Sequence, residues 1–363
     1  MNMKPTSLLH YLLWAVALLL LPLLLQPLGN AWVRIADMAL LYVLLALGLN
    51  IVVGYAGLLD LGFVAFFAVG AYMFGLLASP HLTDTFPAMA AMFPNGLHLP
   101  LWAVVPIGAG LAGLFGVLLG APTLKLRGDY LAIVTLGFGE IIRVFLNNLD
   151  NPVNITNGPK GLGQIDPLTV FGHPLSQKLD LGFIQLPSVT QYYYLFLALV
   201  LISTLICYRL QTSRVGRAWM AIREDEIAAK AMGINTRNLK LLAFGMGATF
   251  GGVAGVLFAS FQGFVSPESF SLMESVMIVA MVVLGGLGHL PGVILGAVLL
   301  SALPEVLRHV AGPLQEMTDG RLDAGILRQL LIALAMILIM LWRPRGLWPS
   351  PDHGKALPTK EAA

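Results

Sequence analysis

Long apolar runs constrain this chain more than any other feature of it. A helix needs about 20 mostly apolar residues to cross a bilayer. Runs of roughly that length recur at 9–28, 36–54, 57–78, 101–121, 129–148, 191–208, 240–261, 272–288, 291–308 and 325–342. The expectation is an all-α fold, a polytopic membrane helix bundle of about ten transmembrane helices. Composition agrees: 57% of the 363 residues are hydrophobic and 11% are charged, and mean hydropathy is +0.82. A soluble domain of this size needs a charged skin that so few ionisable residues do not supply. Two runs are weaker than the rest. The one at 57–78 contains Asp60, and the one at 272–288 is short and ends in Gly-rich sequence, so each suits a broken or re-entrant segment as well as a full span. Lys4 precedes the first run, which extends through Leu25 with no small-x-small cleavage site behind it, so an uncleaved anchor is expected.

Basic residues near span ends set the orientation, because Lys and Arg accumulate on the cytoplasmic side. Seven of the 21 Lys and Arg fall within 209–240 (Arg209, Arg214, Arg217, Arg223, Lys230, Arg237 and Lys240), around the triplet Glu224-Asp225-Glu226. A cytoplasmic 209–240 also places Lys125, Arg127, Arg343, Arg345, Lys355 and Lys360 inside. Counting spans backwards puts Lys4 there too, so both termini are expected to be cytoplasmic. The longer connections at 79–100, 149–190 and 309–324 then face outward, where cations are fewer or are balanced by Asp150, Asp166, Asp180, Glu316 and Asp319. The reading is one transmembrane domain over 1–348 and a short cytoplasmic tail over 349–363.

Several patterns narrow the function. Gly116 and Gly120, Gly251 and Gly255, and Gly292 and Gly296 each lie four apart, a spacing that lets helices approach closely. General bundle packing is favoured over a specific dimer motif. Gly108-Ala-Gly-Leu-Ala-Gly113 matches a dinucleotide fingerprint, but it sits inside a span with no strand before it, so the match is accidental. No G-x-x-x-x-G-K-[ST] sequence occurs, so any ATP used must be bound by another polypeptide. Cys207 is the single cysteine and the histidines are scattered, so neither a disulfide framework nor a metal site is expected.

Ionisable side chains within spans are costly and mark function by default. Glu140 with Arg143, and Glu305 with Arg308, are spaced to pair on a helix face, and mutual neutralisation near the interface is favoured for both. Asp60 has no local partner and suits a polar pathway as well as a structural role. Asn50, Asp60, Glu140, Glu274 and Ser275 are the candidates for a translocation path. A proton-coupled transporter would carry more mid-span carboxylates or histidines.

The charged loop reads as folded. From Gly216 to Met232 it is rich in helix formers and lacks proline. The spacing predicts one short helix with Met220, Ile227 and Ala231 on its apolar side and Arg223, Glu226 and Lys230 on another. Gly233 is placed to stop it in a left-handed cap, and Asn235 or Thr236 to start the next helix. The alternative is a solvated loop with a Glu226–Lys230 pair.

This segment resembles the cytoplasmic coupling loop of ABC importer permeases, whose general pattern is E-A-A-x-x-x-G. The register here is Ile227-Ala228-Ala229-x-x-x-Gly233, with the acid one place earlier at Glu226. The wider string from Gly216 to Ala229 is similar to LivM-type permeases of branched-chain amino-acid importers. So are Gly48–Gly54, Leu126–Glu140, Gln262–Phe270, Val283–Gly286 and Trp342–Gly346, which together run from about residue 40 to 348. The resemblance implies that Arg217, Arg223, Glu224, Asp225, Glu226, Ala228, Ala229 and Gly233 couple the permease to an ATPase. It implies a complex in the bacterial inner membrane with a homologous second permease, two cytoplasmic ATPase subunits and a periplasmic binding protein for leucine, isoleucine and valine. No cofactor is expected on this chain, because ATP is used by the partner subunits. Segment 155–161 in the outer loop is expected to form part of the binding-protein dock. Related permeases handle urea or other amino acids, and an ion-driven secondary transporter working alone is the rival class.

Overall fold

The computed structural model describes residues 16–93 and continues to 317 with short breaks within 94–98, 124–127, 171 and 181–184. A few residues between 330 and 348 are also described. Helix α1 spans Val16–Leu25. It is followed by α2 (Asn30–Leu49), α3 (Val64–Leu77), α4 (His81–Thr85), α5 (Pro87–Met92), α6 (Leu101–Thr123) and α7 (Asp129–Asn148). The chain continues through α8 (Ser188–Thr212), α9 (Arg214–Glu224), α10 (Glu226–Ala231), α11 (Thr236–Gln262), α12 (Leu272–Gly285) and α13 (Leu290–Met317). Among the described residues, five stretches are long and apolar enough to cross a bilayer: Asn30–Tyr55, Ala103–Thr123, Ser188–Thr212, Thr236–Gln262 and Pro267–Gly285. Val16–Leu25, Val64–Leu77 and Leu290–Glu305 are shorter apolar helices.

Helix α11 lies at the centre, packed on α6, α3 and α2. Its glycines make this possible. A Cβ on Gly252 would lie 2.5 Å from the Gly108 carbonyl oxygen and from the Ala112 Cβ of α6, while Gly70 of α3 closes on Gly252 from the other side. Three backbones meet there with little more than the Ala112 methyl between α6 and α11, so close packing rather than burial from water holds the crossing. The glycine pairs all serve such contacts. Gly251 and Gly255 face α3, Gly116 and Gly120 face Phe244–Ala248 of α11, and Gly292 and Gly296 face α12. Gly108 and Gly113, from the dinucleotide-like string, pack against α11 as well.

The structure breaks one of the two weak runs, shortens the helix of the other, and adds detail to two connections. The run at 57–78 is broken: α2 ends in a π-helical turn over Asn50–Tyr55, Gly57 takes a φ of +68°, and helix resumes only at Val64. The run at 272–288 forms the 14-residue α12 behind a 3-10 turn at Pro267–Phe270. Helix α13 continues through 309–317, which hydropathy leaves as a connection. The outer loop holds a 3-10 turn at Gly158–Lys160 and two antiparallel strand pairs: β1 (Thr169–Val170) with β2 (His173–Pro174), and β3 (Leu179–Asp180) with β4 (Gln185–Leu186). Leu162 and Val265 exchange backbone hydrogen bonds at 2.7 and 2.9 Å, pinning this loop to the turn between α11 and α12. Most of the run at 325–342, and residues 9–15 of the first run, lie outside the described residues.

Candidate functional site

The charged segment folds as two helices, not one. Ser213 caps α9, its Oγ accepting from the Gly216 N–H at 3.1 Å. Asp225 then adopts extended backbone, and its carboxylate accepts from the N–H groups of Ile227 at 2.8 Å and Ala228 at 3.0 Å. Aspartate competes for nearby backbone donors better than it propagates a helix, so it ends α9 and starts α10. Asp225→Ala is expected to destabilise α10 by about 1 kcal/mol, read as faster hydrogen exchange at the Ile227 and Ala228 amides.

The break also re-aims the faces. Trp219, Ile222 and Ala229 are buried, whereas Ile227 is 69% exposed and Met232 81%. The expected apolar side of Met220, Ile227 and Ala231 is therefore not the side turned into the bundle. Arg223, Glu226 and Lys230 do not share a face either: Glu226 pairs with Lys240 of α11 at 2.7 Å, and Lys230 remains exposed. Trp219 Nε1 donates to the Leu239 carbonyl at 2.7 Å, fixing α9 against α11. The stop and restart are as the sequence predicts. Gly233 takes a φ of +86°, and the Asn235 side chain accepts from the Asn238 N–H at 3.1 Å. Arg217 donates locally to the Thr212 carbonyl at 2.7 Å, while Glu224 and Ala228 stay exposed.

Arg223 turns inward. Its Nη1 donates to the Gly54 carbonyl in the π-helical turn, and its guanidinium also packs against Gly288 in the α12–α13 junction. Its aliphatic stem covers Gly57, where a Cβ would come within 2.8 Å of Arg223 Cγ. Burial lowers the pKa of this guanidinium, and the neighbouring Glu224 charge raises it. Asn50 completes the knot, its Oδ1 accepting from the Gly288 N–H at 2.9 Å. The Asn50 carboxamide fills the space that a Cβ on Gly54 would need.

Non-helical backbone inside a membrane bundle is tolerated only where its polar groups find partners. At the break the partners are side chains. The Leu61 N–H donates to Thr135 Oγ1 at 3.0 Å, and the Leu61 carbonyl accepts from Ser275 Oγ at 2.5 Å. The Gly62 N–H donates to Asp60 Oδ1 at 2.9 Å. Asn50, Asp60 and Ser275 are thus brought to one broken segment, joined by Thr135, which the sequence reading did not single out. Asp60 Oδ2 is buried with no hydrogen-bond partner.

The other two pathway candidates sit elsewhere. Glu140 pairs with Arg143 at 3.0 Å, as its spacing predicts, and Arg143 also reaches Glu268 at 3.4 Å. Glu274 accepts from Tyr42 Oη at 2.9 Å. Glu305 is engaged, but the Arg308 side chain lies outside the described residues. A further buried carboxylate, Asp37 in α2, has neither oxygen hydrogen-bonded. Its signal in the sequence was simply an acid within an apolar run. No group of three or more His, Cys, Asp or Glu suited to a metal occurs among the described residues.

Comparison with known proteins fits this architecture. The profile of the family described as branched-chain amino acid transport system / permease component matches residues 31–341. The high-affinity branched-chain amino acid transport system permease protein LivM of Escherichia coli (strain K12) is 43% identical over 329 residues, covering 87% of this chain and 70% of that protein. LivM of Salmonella typhimurium is 41% identical with the same coverage. The E. coli permease protein LivH is 25% identical over 321 residues, covering 86% of this chain and 93% of its own. No solved structure matches. The matches extend through the broken helix and the α9–α10 segment alike, and the chain belongs to the family of branched-chain amino acid transport permeases.

Proposed function

We propose that this chain is the membrane permease subunit of an ATP-driven, binding-protein-dependent importer of leucine, isoleucine and valine. The observation that carries the reading is Arg223. It sits on the segment that resembles a coupling loop, yet it bonds to Gly54 and packs against Gly288 at two helix junctions inside the bundle. A displacement of α9 and α10 therefore acts on the π-helical turn and on the α12–α13 junction together. Ile227 and Met232, exposed on and beside α10, offer a partner ATPase an apolar grip. Discontinuous helices are where transporters place their paths, and Asn50, Asp60 and Ser275 converge on the break that follows the apolar stretch Asn30–Tyr55.

The chain spans the bacterial inner membrane about ten times with both termini in the cytoplasm. Its similarity to both LivM and LivH proteins supports a pair of homologous permeases with the path between them. One of two ATPase subunits docks on α9 and α10, both use the ATP, and the pinned outer loop, with exposed Lys160, receives the binding protein. The test is reconstitution of the chain with these partners in liposomes. Labelled leucine should enter only with ATP and binding protein together. Uptake without either component, uptake driven by an ion gradient, or transport of urea in place of leucine would overturn the reading.

A further inference from the structure

A cavity of about 460 Å³ lies between α2, α12 and α13, within the roughly 300–1,000 Å³ typical of small-molecule sites. Its character is mixed. Met38, Met277, Met281 and Leu300 line it with flexible apolar groups, while Arg34 supplies a positive charge and Glu274 and Glu305 supply carboxylates; Glu305 is itself engaged by a neighbour. Arg34 is partly held: it donates to the Gln262 side chain, and its guanidinium lies 5.2 Å from the Phe261 ring centre. Among the described residues, Glu274 accepts a hydrogen bond from Tyr42 Oη at 2.9 Å, whereas an ionised carboxylate has about four lone-pair sites. Eight residues separate Arg34 from Tyr42 along α2, a rise of about 12 Å. The cation therefore stands toward the start of α2 and the anion about two turns further along.

We propose that this groove is a substrate station for a zwitterionic amino acid with an aliphatic side chain. Glu274 takes the α-ammonium by direct contact and the methionine and leucine wall packs the side chain, while Arg34, about two turns away along α2, attracts the α-carboxylate through space rather than by a direct bond. The proposal rests on the reading of this chain as an amino-acid permease and deepens it. A mechanical reason favours this groove over the larger apolar cavity between α3, α6 and α7. Glu274 lies on α12, whose next residue, Ser275, bonds to the broken segment at Leu61, and whose far junction at Gly288 is held by Asn50 and packed by Arg223. The helix that touches substrate is also the helix that the α9–α10 segment grips. Methionine lets one wall accept differently branched side chains.

The test uses the reconstituted complex, with labelled leucine uptake and ATP hydrolysis measured side by side. Glu274→Gln removes the charge but keeps the shape and a Tyr42 partner. It should lower leucine uptake about tenfold or more, since a hydrogen bond to a charged group is lost, while Glu274→Asp retains part of it. Arg34→Gln, at a more exposed position, should lower uptake several-fold, and Arg34→Lys should recover most of that loss. ATP hydrolysis stimulated by the binding protein should persist in all four. If Glu274→Gln does not assemble, Arg34→Gln and Met281→Trp, which fills the groove, decide the matter. Uptake within twofold of the unaltered complex in any assembled Gln or Trp variant overturns the station. A failure of the unaltered complex to move leucine would instead refute the amino-acid reading itself.

Discussion

Replacing Arg223 with alanine is expected to cut substrate uptake by at least tenfold while ATP hydrolysis continues. The side chain does three things at once: it donates to the Gly54 carbonyl, packs against Gly288, and covers Gly57 with its stem. A hydrogen bond from a charged donor contributes about 1.5–3 kcal/mol, so its loss loosens the link by roughly one to two factors of ten. The Gly54 carbonyl is left without that donor in the α2 turn. Arg223→Lys keeps a charge but not the planar fork, so it should recover only part of the uptake. Substrate-independent ATP turnover is the diagnostic reading, because the α9–α10 surface that would hold an ATPase is untouched. Equal loss of hydrolysis and uptake would show that Arg223 supports docking rather than transmission. Normal uptake would show that it transmits nothing.

Gly252→Leu should be more damaging to the protein itself. The Gly252 backbone is met by Gly70 of α3 on one side, and any Cβ there would strike Gly108 and Ala112 of α6 on the other. A backbone oxygen cannot rotate away as a side chain can, so the helices must separate. Overpacking of this kind costs about 3 kcal/mol, and here it also forfeits the close contacts that hold helices together in lipid. The purified variant should melt at a markedly lower temperature or run as aggregate in size-exclusion chromatography. Gly110→Leu is the matched control. It lies on α6, the helix against which Gly252 packs, two residues from Gly108, yet nothing stands within 4 Å of a Cβ there. Equal behaviour of the two variants would refute the three-helix crossing.

The folded loop shows how far local signals carry. Gly233 and Asn235 were legible because a left-handed cap and an N-cap depend on the residue's own chemistry. Asp225 carried the same kind of signal, but its neighbours form helix so readily that the reading ran through it. Once Asp225 splits the helix, the side of α10 changes, and Ile227 is left outside while Ala229 goes in. The Glu226–Lys240 pair was beyond reach for a different reason. Its members are fourteen positions apart and meet only because α10 folds back on α11.

Asp60 makes the complementary point. As a lone acid in an apolar run it stood equally for pathway or structure. The fold gives it a structural task at the Gly62 N–H and leaves its second oxygen buried without a hydrogen bond. The distinction required knowing that the helix breaks there, which hydropathy, an average over about 20 residues, smooths away.

Sequence alone establishes a polytopic membrane helix bundle, and its resemblance to importer permeases marks one segment as a coupling loop. The membrane bundle follows from properties that are local or additive along the chain, apolar length and the placement of charge, whereas the permease and its coupling loop follow from the resemblance of strings such as Gly216–Ala229 to a known family. Only the tertiary structure decided that Arg223 reaches Gly54, that Asn50 and Ser275 hold broken backbone, and that Arg34 and Glu274 share a groove. Those contacts join residues from 169 to 240 positions apart. No spacing along the chain encodes them, because they exist only once glycine-lined helices have closed to backbone contact.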